Sequence, residues 1–151
     1  MTATQRAIVL GTATAGTLDL MSAFVFGGMA GRTAPQILAG VATGPFPAIG
    51  AGLDASAVGA AVHYAIMAVM VGAFVLAARG RPALLRQPIA AGVAYGVLLY
   101  LIMYWIVLPL RFPAVWPRSD AWTVGNALFS HCLCVGVPIA LIARAQLQRR
   151  R

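Results

Sequence analysis

The sequence predicts an all-α fold. It describes a polytopic membrane protein, a four-transmembrane-helix bundle built from two tandem helix pairs, with a short interfacial or re-entrant segment in the first outer loop. Three observations predict it. Hydrophobic residues make up 61% of the 151, and only 9% are charged, against about a quarter in soluble domains. Four stretches reach the roughly 20 apolar residues that a helix needs to cross the hydrocarbon core. None of the chain alternates apolar and polar residues as the strands of a membrane barrel must. So little polar surface cannot cover a water-soluble globule, which excludes a soluble enzyme, a disordered tail and a disulfide-rich secreted module.

The first span runs over about residues 7–30. The short basic start, Met1 to Arg6, raises the question of a cleaved signal peptide. The apolar run continues through Phe26 and contains Asp19, so a retained helix is expected. Gly16, Ala23 and Gly27 share one side of it, a spacing that suits helix association and also a dimer. The loop that follows is long and mostly apolar. Thr33 can cap a helix, Pro35 and Gln36 can open it, and Gly44-Pro45-Phe46-Pro47 must break it. Residues of about 34–47 therefore form a short helix that lies in the interface or dips into the protein, where its irregular backbone is satisfied. The second span covers about 55–78, with Asp54 as N-cap candidate, and the fourth about 121–143, with Asp120 in that role. The third covers about 88–110, with Pro88 in the first helical turn, where its missing N–H costs nothing. Pro138 and Gly136 loosen the fourth span just cytoplasmic of His131, which serves gating or merely packing.

Arginine placement sets the orientation. Arg6, Arg79, Arg81, Arg86, Arg144 and Arg149 to Arg151 flank one side; Arg32, Arg111 and Arg118 flank the other. The excess puts both termini and the middle loop in the cytoplasm. Trp105, Trp116 and Trp122 gather near the opposite interface, which indole rings favour. The net charge of +8 then reflects orientation and contact with the anionic lipid bilayer rather than binding to nucleic acid.

Asp54-Ala-Ser-Ala-Val-Gly-Ala-Ala-Val aligns with Asp120-Ala-Trp-Thr-Val-Gly-Asn-Ala-Leu, and each segment follows an Arg and then a Pro. Tandem duplication of a helix pair would give parallel repeats about an axis along the membrane normal.

An ionisable group at mid-membrane costs roughly 2.5–3.5 kcal/mol on insertion scales, so Asp19, His63 and His131 are the informative residues. At a rise of about 1.5 Å per residue, Asp19 lies roughly 16 Å below the outer end of its helix, His63 roughly 12 Å and His131 roughly 15 Å below theirs. Tyr100 falls near the same level. Small residues flank Asp19 (Ala15, Gly16, Ala23) and His63 (Ser56, Gly59, Ala60), which marks helix contact rather than lipid. A polar intramembrane cluster of Asp19, His63, Tyr100 and His131 is expected.

Several uses of that cluster stand side by side. It fixes helix register alone, in a structural or accessory subunit that packs against a larger membrane complex or a second copy. Or it moves a proton or small solute, since histidine titrates near neutral pH. Or His63 and His131 ligate a haem b from two helices, although the duplication pairs His63 with Phe129. Cys132, Cys134, Met67 and Met70 offer soft ligands of the kind copper takes, but the two cysteines face different sides of a helix. Both behave as small apolar residues, with no support for a disulfide. There is no phosphate loop, no zinc-type spacing and no hydrolytic carboxylate pair. No catalytic residue or metal ligand is assigned, and the balance leans away from an enzyme. Arg111 and Arg118 could meet a lipid phosphate, with interfacial anchoring the simpler reading.

Pro35-Gln36-Ile37-Leu38-Ala39-Gly40-Val41-Ala42-Thr43-Gly44, then Ala57 to Tyr64, then His131 with Gly136-Val137-Pro138-Ile139-Ala140-Leu141 and Arg144 together resemble the YagU-like group of uncharacterised bacterial inner-membrane proteins. The resemblance covers most of the chain through motifs dominated by Ala and Gly. It implies a small multi-span inner-membrane protein and carries no catalytic residue across.

Overall fold

The computed structural model describes residues 1–115 and 120–148. Trp116, Arg118 and the basic run Arg149 to Arg151 lie outside the described residues. Helix α1 spans Ala3–Met29, α2 Ala34–Ala42, α3 Leu53–Gly80 and α4 Ala83–Arg86. The last two, α5 and α6, are Pro88–Arg111 and Ala121–Gln148. No strand occurs among the described residues. Helices α1, α3, α5 and α6 are each long and apolar enough to cross a membrane, and the protein is an all-α, multi-pass membrane protein. Large apolar side chains such as Val25, Val69, Leu76, Ile89, Ile106 and Leu133 face outward, as lipid-facing surfaces require.

The helices overrun their apolar stretches because polar caps, not hydrophobicity, set their ends. Thr2 and Gln5 form a capping box that starts α1 ahead of its apolar run: the Thr2 hydroxyl accepts from the Gln5 N–H at 3.1 Å, and Gln5 Oε1 accepts from the Thr2 N–H at 2.8 Å. Thr33 and Gln36 repeat the device at α2. Gly31 stops α1: its φ is +76°, and Arg32 N–H donates to the Gly27 carbonyl while Gly31 N–H donates to Gly28, which is the Schellman arrangement. Asp120 caps α6 by accepting from the Thr123 N–H at 2.9 Å. Asp54 does not cap α3. That helix begins one residue earlier, its N-cap is Gly52 with φ +126°, and Asp54 sits inside the first turn near the positive dipole end. The aligned aspartates therefore hold different helix positions.

Around the bundle the spans neighbour one another in the order α3, α1, α6, α5. Helices α5 and α6 approach closest. A Cβ on Gly92, Gly96 or Gly136 would overlap backbone of the opposite helix, so small residues at these points let the two helices touch. The densest core lies toward the end that carries the termini, where Ala7, Val71, Val75, Val135, Ile139 and Ala140 are buried together. The α3–α5 seam is looser and is spanned there by side chains: Phe74 packs on Tyr95, and the Tyr95 hydroxyl donates to the Met70 carbonyl at 2.7 Å.

Helix α2 lies beside α3. The Ser56 hydroxyl donates to the Pro35 carbonyl at 3.1 Å, and Gly59 is bare where the Leu38 carbonyl presses on it. Both contacts advance by three residues, so α2 and α3 point the same way. Gly27 likewise makes room for Ile37 of α2.

Two of the spans contain π-helical turns, at Met103–Val107 and Ser130–Gly136. Each ends within two residues of a proline, Pro109 and Pro138. A proline ring collides with the carbonyl four residues back in α geometry, and the wider turn relieves that collision. The distortion expected beyond His131 thus includes His131 itself.

A candidate polar site within the helix bundle

Helix α1 carries the centre of the site. Asp19 is half-buried and lies within electrostatic reach of His131 on α6 and of His63 on α3. Its helix is wedged between α3 and α6, so a carboxylate on this face addresses both.

On the α3 side, His63 is buried, and its Nε2 stands 2.9 Å from the Gly16 carbonyl. A carbonyl only accepts, so Nε2 carries the hydrogen. Glycine at position 16 matters for this contact: a Cβ there would stand 2.7 Å from the Tyr64 ring. Tyr64 packs edge-on to His63 and shares a 2.8 Å hydrogen bond with Thr17.

On the α6 side, His131 is half-buried, and its Nδ1 donates to the Ala127 carbonyl at 2.8 Å. His131 therefore keeps Nε2 as its open nitrogen when neutral, whereas His63 keeps Nδ1. The Ala127 carbonyl also accepts from the backbone N–H of Ser130. Tyr100 and Tyr104 stack on each other at 5.0 Å and both turn edge-on to His131, at 6.3 and 6.0 Å. Tyr100 is buried, and the structure brings it to His131 rather than to His63.

A second set of groups adds Ser22 and Ser130, which the sequence does not single out, to Cys134, which is legible there only as a soft side chain. Ser22 of α1 hydrogen-bonds to Ser130 of α6. Cys134 is in hydrogen-bond contact with Ser22 and within electrostatic reach of Asp19. Cys132 points elsewhere, its thiol toward the Val93 carbonyl at 3.7 Å. Both cysteines are free. Only helical spacing could have signalled Ser22 and Cys134, each three residues beyond Asp19 and His131.

Among the described residues no group of three or more His, Cys, Asp or Glu side chains is placed to hold a metal ion. The chemistry on offer is that of one carboxylate and two imidazoles, with hydroxyl and thiol neighbours, inside an apolar bundle. Such a set can hold a proton at more than one position and can present both donors and acceptors to a small polar solute. Compared with protein-family models, curated proteins and solved structures, the chain matches none.

Proposed function

We propose that this protein is a bacterial inner-membrane protein of the YagU-like group, with both termini cytoplasmic, that uses Asp19, His131 and His63 for proton- or small-solute-linked transport. One observation carries the reading: a half-buried carboxylate lies in reach of imidazoles on two different helices, in a chain with only three carboxylates. An ionisable trio at membrane depth is a functional site by default. The open nitrogen of His131 can take a proton and form an imidazolium that Asp19 steadies. Tyr100, Tyr104, Tyr64 and Cys134 complete the titratable surroundings.

A second reading is favoured by the His63 contact. Its Nε2 spends its hydrogen on a backbone carbonyl of α1, as polar groups that fix helix register do. On that reading the protein is an accessory subunit or one half of a homo-oligomer. A bis-histidine haem has less behind it: His63 already gives its Nε2 hydrogen to the Gly16 carbonyl.

Proteoliposomes with a trapped pH indicator separate the first two readings. Transport predicts faster pH equilibration than in empty liposomes. Asp19→Asn and His131→Gln should each slow it by about 10²-fold, as loss of a positioned proton-transfer group typically does, with insertion unchanged. Rates equal to empty liposomes, with and without candidate solutes, would favour the accessory subunit.

A further inference from the structure

At the end away from the termini, α5 leaves the bundle. None of its residues from Met103 to Arg111 is buried. Between this arm and α2 lies a crevice of about 880 Å³. Its walls are apolar, with Ile37, Val41, Ile66, Val107 and Leu108 among them; among the described residues its charged lining residues are Arg32 and Arg111, and no carboxylate lines it.

The two arginines are held differently. Arg111 is half-buried and closes the C-terminal end of α2: Nε donates to the Gly44 carbonyl, and Nη2 donates to the Thr43 carbonyl at 3.1 Å. Its guanidinium also stands 5.5 Å from the Phe112 ring. These bonds fix the guanidinium at the mouth of the crevice. Arg32 reaches over α2, its Nη2 beside Gly40. Glycine at that position leaves room for the guanidinium.

We infer that this crevice binds an anionic phospholipid, with the phosphodiester between Arg32 and Arg111 and one acyl chain along the apolar wall of α2 and α5. Charge complementarity selects the headgroup: two cations face one cavity with no acidic group to balance them. The apolar lining selects the rest, because a free phosphate would leave most of the volume unfilled. A zwitterionic lipid brings its own cation against the two guanidiniums and fits less well. The site is independent of the transport reading.

Native mass spectrometry of the delipidated protein, titrated with phosphatidylglycerol, phosphatidylcholine or inorganic phosphate, tests it. One phosphatidylglycerol should be retained in preference to phosphatidylcholine. Arg32→Gln should lower that preference about fivefold, the ordinary worth of one basic group at an anionic lipid surface. Arg111→Gln also loosens α2, so Val107→Trp, which fills the crevice without touching a charge, is the second variant and should displace the lipid. Equal retention of the two lipids, indifference to both Arg32→Gln and Val107→Trp, or displacement of lipid by phosphate alone would overturn the inference.

Discussion

Substitution of Gly96 by alanine tests the tight contact between α5 and α6 and, through it, the setting of His131. An alanine Cβ at this position would stand 2.7 Å from the carbonyl carbon of His131, against the 3.4 Å at which ordinary contact begins. It would also press on the Cys132 Cα, so every atom in its way is backbone. No rotamer change can relieve that, and with the Cys132 Cα only 2.5 Å away the helices must part by about 0.9 Å or more. Overpacking of this kind costs about 1–3 kcal/mol. Gly72 of α3 supplies the control, since a Cβ there meets nothing within 4 Å. Gly72→Ala should gain up to about 1 kcal/mol, the difference in helix propensity between the two residues. The assay is reversible unfolding in mixed micelles of mild detergent and sodium dodecyl sulfate, followed by tryptophan fluorescence. Opposite signs for the two glycine-to-alanine changes are expected. A Gly96→Ala protein as stable as Gly72→Ala would refute the close approach of α5 and α6 and the position of His131 that depends on it.

Other outcomes follow from single contacts. Tyr95→Phe should cost about 0.6 kcal/mol in the same unfolding assay, the average for a hydrogen bond between membrane helices, because it deletes the bond to Met70. Asp120→Ala should cost about 1 kcal/mol as a lost N-cap, while Asp54→Ala, which removes no capping bond, should cost less. Gly31→Val should cost about 1–2 kcal/mol, the penalty of a left-handed backbone at a residue with a Cβ, again read from the unfolding midpoint. Arg111→Ala should speed proteolysis between Thr43 and Gly52 in detergent, since it frees the two carbonyls that hold the end of α2.

The spans were legible because the bilayer imposes a length and a polarity on any segment that crosses it. Depth was legible for the same reason: counting residues from the helix ends puts Asp19, His63 and His131 near one level. Direction around the bundle was less so. Residue counting put Tyr100 level with the histidines but could not say that it meets His131 and not His63. Ser22 left only its helical spacing from Asp19 as a trace, because small polar side chains are at home in any membrane helix, and Cys134 was legible as a soft side chain but not as a neighbour of Ser22. The termini of α1 and α3 were misplaced by a few residues, since the Thr2–Gln5 side-chain capping box and the Gly52 backbone set them and hydropathy ignores both. Gly31 is a helix stop and Gly28, three residues before it, meets nothing, a difference that hydropathy does not register. Pro138 announced a distortion but not its π form. The crevice between α2 and α5 depends on how far one helix leans from another, which no spacing within a helix encodes.

The account rests on the electrostatic interaction of Asp19 with His131 inside the bundle. A double-mutant cycle measures that interaction directly: unfolding free energies of the wild type, Asp19→Asn, His131→Gln and the double variant, all at one pH. Interacting residues show coupling of about 0.5–3 kcal/mol, and a favourable coupling in that range is the predicted result. Strictly additive effects, with each substitution indifferent to the other, would contradict it.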